Sequence, residues 1–299
     1  MPGSAPGLGF LQDGEFTGFE VDYGRAIAAA VFGDPEAVEF VVSEPEEWFS
    51  DVANGIVDVT ARAITHTLGR DALLGIDFGQ PVYLYDSQIV WAPHDSGINS
   101  LEDLEGRSIG VISGTTSERN IQEAADELDI TFDLVTFDSP PELNDAYNDR
   151  EVDVVTGDGS FIQSLALSVP LAERIPSRPI ATGLSKEPLA VIVDENQSEW
   201  KDVVTWTVYA TIQAAEFGIT SENVDDFLDS DDPAIRRFLG VEGDLGESLG
   251  LDDNFVVDAI SSVGNWQEIY DRNFPFPDAP PIGGGLFSEG GLLYSPPFA

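Results

Sequence analysis

The chain has 299 residues, 42% of them hydrophobic, with 55 Asp+Glu against 13 Lys+Arg, a formal net charge of −42 and no cysteine. That length suffices for two domains of ordinary size with packed cores. The charge argues against nucleic acid or an anionic membrane as partner, and the missing cysteines exclude disulfides, thiolate catalysis and Cys-ligated metal.

The opening, Pro2 to Gly14, is rich in Gly and Pro and reads as a loop. A helix follows, with Asp22 as its expected cap, an Ala-rich body and Gly33 as its stop. Val38 to Val42 reads as a strand covered on both faces. Glu44 to Ala53 reads as a helix with Trp48, Phe49 and Val52 at helical spacing, stopped by Asn54-Gly55. Ile56 to Ala61 is a β-branched strand leading to the polar turn Thr65-His66-Thr67 and to Arg70; Ile76-Asp77-Phe78 and Pro81 come next. This alternation of helix and strand predicts a parallel sheet.

Pro81 to Ala92 reads as one long strand, Pro93 to Gly97 as a turn, and Ser100 to Asp103 as the start of a short helix with a capping-box-like order. Arg107 to Ile112 is a strand that enters Ser113-Gly114-Thr115-Thr116 and a helix from Glu118 to Leu128. Ile130–Phe137, Pro140–Asn148, Val152–Asp158 and Phe161–Ser168 then read as strand, helix, strand and helix. Leu189 to Val193 is a return strand, Trp200 to Phe217 a helix, the acidic stretch to Gly264 helical, and Phe274 to Ala299 coil. The segments N-G-I-V-D-V-T-A-R and D-R-E-V-D-V-V-T-G-D echo one another, which predicts two lobes of similar build.

Three groups fall at carboxyl ends of predicted strands, where an open α/β sheet offers its site. Arg70 carries a planar fork suited to a carboxylate; its plainer role is a structural ion pair. Thr115 and Thr116 sit at a helix N-terminus, which adds donors for an anion. Asp158 suits an ammonium; its plainer role is a helix N-cap. Opposite fixed charges facing one cleft describe an α-amino acid zwitterion. Arg62 points into the same cleft or pairs with an acid. His66 reads as a partly exposed turn residue, and Trp48, Phe49, Phe78 and Tyr83 as core, with an aromatic free to wall the pocket. Two histidines make a His-based transition-metal site improbable, and no catalytic triad order, phosphate loop or zinc signature occurs. No cofactor is called for.

Gly18-Phe19-Glu20-Val21-Asp22, Val57-Asp58-Val59, Asp77 to Tyr83, Leu101 to Arg107, Gly114-Thr115-Thr116 and Val152-Asp153-Val154 stand in an order that resembles the amino-acid solute-binding proteins of ABC importers. The likeness is to the broad-specificity, general L-amino-acid branch, and it runs on through Ile235 to Gly246 and Gly290 to Phe298. It implies an α/β, two-lobed periplasmic-binding-protein-like fold of type II. Each lobe would be a mostly parallel sheet flanked by helices, joined to the other by two crossing strands. Lobe 1 would hold 1–88 and 190–299, and lobe 2 would hold 89–189. By the resemblance, Arg70 holds the α-carboxylate with help from Thr65 and Thr116, and Asp158 takes the α-ammonium. Ala63 and Thr115 line the site, and Arg62 favours acidic or polar side chains.

The resemblance also implies a monomer in the periplasm or at the cell surface, delivering an L-amino acid to a membrane permease. The family opens with a strand that has no counterpart here, and Gly3 to Phe10 would be the ligand-touching loop after it. A trimmed or mis-started N-terminus, with an export signal lost alongside, is therefore expected. A dehydratase of prephenate-like acids on the same fold is the alternative, and needs a general acid for which only Asp158 is a candidate. A sensory receptor domain is a third reading, disfavoured by the absence of a span or signalling module. The acidic residues are dispersed rather than gathered in a tail, which fits a folded surface adapted to high salt; an ordinary acidic surface is the plainer reading.

Overall fold

Three-residue strands β1 (Phe10–Gln12) and β2 (Glu15–Thr17) form a hairpin ahead of helix α1 (Phe19–Phe32) in a computed structural model that describes residues 6–43, 45, 47–170, 172–274 and 285–299. Gly18 allows the entry into α1. Its φ is 126°, and a Cβ there would lie 2.3 Å from the Leu8 carbonyl oxygen, so only glycine permits this approach. The approach lets Leu8 O accept from Glu20 N at 2.9 Å, which sets Glu20 in the first turn. Asp22 is not the cap expected of it. It lies one turn inside α1 and accepts from Arg272 at 2.8 Å and Asn273 at 2.7 Å, tying the helix to the far end of the chain.

Helices α2 (Trp48–Ala53) and α3 (Leu68–Leu73) and strands β3 (Ile76–Phe78) and β4 (Leu84–Asp86) follow. Residues 38–42, expected to be a strand, join no sheet among the described residues; Val41 and Val42 are exposed, so neither face buries them. Residues 56–61 touch the sheet only through a bridge from Thr60 to Ile192. The helix expected from Glu44 starts at Trp48; Glu44 and Glu46 lie outside the described residues. The long strand expected over 81–92 is broken at Ser87 into β4 and β5 (Gln88–Pro93). At that break the Asp86 carboxylate accepts from Ser87 N, Gly159 N and Ser160 N.

The second body of the molecule is built from β5, β6 (Ser108–Ile112), α4 (Thr116–Leu128), β7 (Asp133–Phe137), α5 (Pro140–Asn148), β8 (Val154–Asp158), α6 (Gly159–Leu167) and β9 (Ser177–Ala181). The sheet order is β7-β6-β8-β5-β9. Strand β6 runs parallel to β7 and β8, and β5 runs antiparallel to β8 and β9. Alternate residues feed opposite faces: Ile89 and Val155 join Leu143, Tyr147 and Ile162, whereas Val90 and Val154 join Leu104, Ile109 and Ile121. Both faces being covered explains the unbroken apolar runs of these strands.

Strands β10 (Glu187–Leu189) and β11 (Ile192–Asp194) return the chain, β10 antiparallel to β4 and β11 to β3. So β4 and β10 are the two crossing strands. The first lobe does not hold the mostly parallel sheet expected of it. Among the described residues its strand pairs β3–β11 and β4–β10 are antiparallel, and the bridge from Thr60 to Ile192 is antiparallel as well.

The helices α7 (Ser198–Phe217), α8 (Pro233–Phe238), α9 (Leu245–Leu249), α10 (Phe255–Val263) and α11 (Trp266–Asn273) complete this lobe. Phe19, Tyr23, Tyr83, Trp266, Tyr270 and Phe274 form one aromatic core there, with Tyr23 and Tyr83 stacked at 5.0 Å. The last segment, 285–299, is coil around one short turn, and Phe298 seals it against Trp206 and Phe238.

Candidate functional site

A cavity of about 260 Å³ lies between the lobes. All seven residues singled out from the sequence line it: Arg62, Ala63, Thr65 and Arg70 from the first lobe, Thr115, Thr116 and Asp158 from the second. Leu8, Trp48, Phe49 and Phe161 add apolar wall. The ligand-touching loop expected at Gly3 to Phe10 contributes Leu8; Gly3 to Ala5 lie outside the described residues.

Arg70 is the third residue of α3, whose N-cap is Thr67. Its guanidinium donates to Thr65 O at 3.0 Å and lies over the Phe49 ring at 5.2 Å. Among the described residues it forms no ion pair, although Arg25, Arg62, Arg107, Arg119, Arg150, Arg236, Arg272 and Lys201 all do. The structural ion pair considered for Arg70 is absent, as it is for Arg174, Arg178, Arg237 and Lys186 among the described residues; what sets Arg70 apart is its place on the cavity wall. Burial holds its pKa below the usual value, against the pull of Asp158 and Glu187 and with Arg119 adding to the depression.

Asp158 ends β8 and occupies the N-cap position of α6, yet its side chain makes no cap bond. Asp86 takes the two first-turn amides instead, at 3.1 and 2.9 Å. The N-cap role thus falls to a residue of the crossing strand, which leaves the Asp158 carboxylate to the cavity with a weak bond from Ser117 Oγ at 3.4 Å. Burial raises the Asp158 pKa well above the usual carboxylate range, and Asp86 and Glu187 push it further; Ser117 and Arg70 oppose them.

The turn before α4 uses Gly114 at φ 71° and caps the helix with Thr115, whose hydroxyl accepts from Glu118 N at 3.2 Å. The first-turn amides of this 13-residue helix have no helical partner, and Thr116 and Ser117 bring them to the cavity wall.

Sequence reasoning missed the carboxylate beneath these threonines. Glu187, 1% exposed on β10, accepts from Thr65 Oγ1 at 2.5 Å and Thr116 Oγ1 at 2.9 Å through one oxygen. Its other oxygen accepts from Asn120 at 3.0 Å and Ser185 at 2.5 Å. A hydroxyl has one proton, so Thr65 and Thr116, donating to Glu187, have only acceptor lone pairs left to offer a ligand. Glu20 was missed as well: it lines the cavity and pairs with Arg62, Nη1 to Oε2, at 2.8 Å. Arg62 therefore meets both of its alternatives, facing the cleft and pairing with an acid. His66 stays at the margin, stacked on Phe78 at 4.2 Å. Trp48 and Phe49 wall the cavity, and Phe78 and Tyr83 are core.

The model of the bacterial extracellular solute-binding proteins, family 3, matches residues 1–223. The chain is a family 3 solute-binding protein. This solute-binding protein is 38% identical over 95% of its length to the general L-amino acid-binding periplasmic protein AapJ of Rhizobium johnstonii, of which it covers 84%. It is 36% identical over 99% of its length to the glutamate/glutamine/aspartate/asparagine-binding protein BztA of Rhodobacter capsulatus, of which it covers 89%. Among solved structures, it resembles a periplasmic binding protein of an ABC transporter from Brucella ovis with glutathione bound. That likeness has a TM-score of 0.92 at 36% identity and covers 99% of this chain and 94% of the other. An ancestral arginine-binding protein bound to arginine shares a TM-score of 0.60 at 26% identity, over 72% and 90% of the two chains. Membership makes the chain a binding protein and sets the dehydratase reading aside. No described helix of the solute-binding protein is long and apolar enough to cross a membrane.

Proposed function

We propose that the protein captures an L-amino acid between its lobes and delivers it to a membrane-embedded ABC permease, acting as a monomer in the periplasm or at the cell surface. The observation that carries this reading is one cavity faced by an unpaired guanidinium, Arg70, and by a carboxylate released from capping, Asp158. Arg70 takes the α-carboxylate by its fork, supported by the first-turn amides of α4. Asp158 takes the α-ammonium. Thr65 and Thr116, which the family resemblance sets beside the α-carboxylate, serve instead as acceptors for that ammonium, since both hydroxyls donate to Glu187. The backbone at Ala63 and the turn at Thr115 line the ligand, and Arg62 faces its side chain. Lobe 1 comprises 1–88 and 190–299, lobe 2 comprises 89–189, and closure is a hinge motion at β4 and β10. The net charge of −42 supports work at high salt.

Calorimetric titration in high salt with a panel of L-amino acids tests the reading. Binding of at least one is expected. Arg70→Ala should weaken every bound amino acid alike, by about 2–5 kcal/mol, because it removes a charged partner from a contact common to all. Failure of every amino acid to bind, or a loss confined to one of them, sinks it.

A further inference from the structure

Glu20 is an anomaly of burial. It is 2% exposed and lines the cavity, and neither of its carboxylate oxygens makes a well-aligned hydrogen bond, the Ala63 amide and Arg62 being its near neighbours. Arg62 Nη1 stands 2.8 Å from Oε2 but is not aligned to donate to it, and Arg62 Nε is also unbonded. Buried charged groups in folded proteins are nearly always hydrogen-bonded, because an unsatisfied one has lost its hydration with nothing in exchange. Four such atoms, both Glu20 carboxylate oxygens with Arg62 Nε and Nη1, belong to one ion pair, which lines this cavity and a second one beside α1. The pair is also held in place. The Arg62 guanidinium lies over the Trp48 ring at 4.8 Å, and Arg62 O accepts from the Tyr83 hydroxyl. Burial raises the Glu20 pKa despite the opposing pull of Arg62 and the Ala63 amide.

We propose that Glu20 and Arg62 together form the side-chain subsite, and that its best ligand is an L-amino acid with a carboxamide side chain, such as glutamine. A carboxamide is the neutral complement of an ion pair: its NH2 donates to Glu20 while its carbonyl accepts from Arg62. A carboxylate side chain gains Arg62 but meets Glu20 as a like charge, and an ammonium side chain meets the reverse. An apolar side chain leaves both partners unsatisfied. Glu20 is thus what keeps Arg62 from making the site a dedicated receptor for acidic amino acids. The inference rests on reading the cavity as an α-amino acid site.

The test is titration of wild type and Glu20→Gln with L-glutamine and L-glutamate at one high ionic strength. The two ligands are nearly isosteric, so a general distortion of the cavity moves both alike. Wild type should prefer glutamine, and Glu20→Gln should shift the ratio toward glutamate by about tenfold or more, the effect of removing one like charge from an enclosed site. If Glu20→Gln fails to fold, Arg62→Gln serves instead and should cost glutamate more than glutamine. An unchanged ratio in the folded variant, or a wild type that prefers glutamate, overturns the subsite while leaving the α-amino acid reading intact. Binding of neither ligand nor of any other amino acid by wild type overturns both.

Discussion

Replacing Glu187 by glutamine probes the contact through which the crossing strand holds both lobes. Its carboxylate accepts four hydrogen bonds: Thr65 from the first lobe, Thr116 and Asn120 from the second, and Ser185 beside it. Glutamine keeps the volume but has one acceptor oxygen, so either the two threonines or Asn120 and Ser185 lose theirs. Hydrogen bonds to a charged group contribute about 1.5–3 kcal/mol each; two lost, less what rotating hydroxyls recover, comes to about 2–4 kcal/mol. For a chain of 299 residues that is a fall in melting temperature of about 3–6 °C. Differential scanning calorimetry of wild type, Glu187→Gln and an exposed control, Glu142→Gln, measures it. Amino acid affinity should fall in the first variant, because Thr65 and Thr116 lose the partner that orients their lone pairs. A melting temperature equal to that of the control would refute the reasoning.

Two further outcomes follow from the charges. Burial and the neighbouring acids raise the Asp158 pKa, and an ammonium ligand favours its ionised form, so binding should release protons over the raised range; affinity for the amino acid should then fall as pH drops through that range faster than affinity for the matching deaminated acid, and parallel pH profiles contradict the assignment. The same sign applies to stability. Asp158, Asp86 and Glu20 have folded pKa values above their ordinary ones, so their contribution is fully present below the unfolded value and is lost as pH rises through the folded one. The ligand-free protein should therefore gain stability from these groups as pH falls through that raised range. The net charge of −42 predicts a melting temperature that climbs steeply with added salt as self-repulsion is screened, and a flat response removes the high-salt reading.

The two groups that organise the site were legible as candidates from their places at strand ends, and their roles came from their opposite charges, the Gly-Thr-Thr helix start and the ordered family motifs. Arg70 is a scarce cation beside a β-branched run, and Asp158 ends an apolar strand; all seven residues read from the sequence reach one cavity. What each does with its charge was not legible. Asp158 is freed from capping only because Asp86, 72 positions earlier, is carried to the same helix end by a strand crossing. Glu187 and Glu20 were hidden among 55 acidic residues, since nothing local separates a buried acid from a solvated one in such a chain. The one available signal was apolar company: Phe19 and Val21 flank Glu20, and Glu187 opens the run P-L-A-V-I-V. The expected strands over 38–42 and 56–61 failed for a different reason. β-branched composition marks a segment able to pair, but a strand needs a neighbour along its edge, and pairing is a property of the fold. Ser87 broke the long strand over 81–92 because Asp86 turns there to serve α6, a demand set by the other lobe.

The central claim, a zwitterion held between Arg70 and Asp158, is tested most directly by titrating Asp158→Asn with an L-amino acid and with the matching acid that lacks the amino group. The account predicts that the variant loses affinity for the amino acid by about 2 kcal/mol or more, the cost of removing one partner of an enclosed charge pair, while the deaminated acid binds as it does to wild type. Equal losses for the two ligands, or no loss for either, would contradict it.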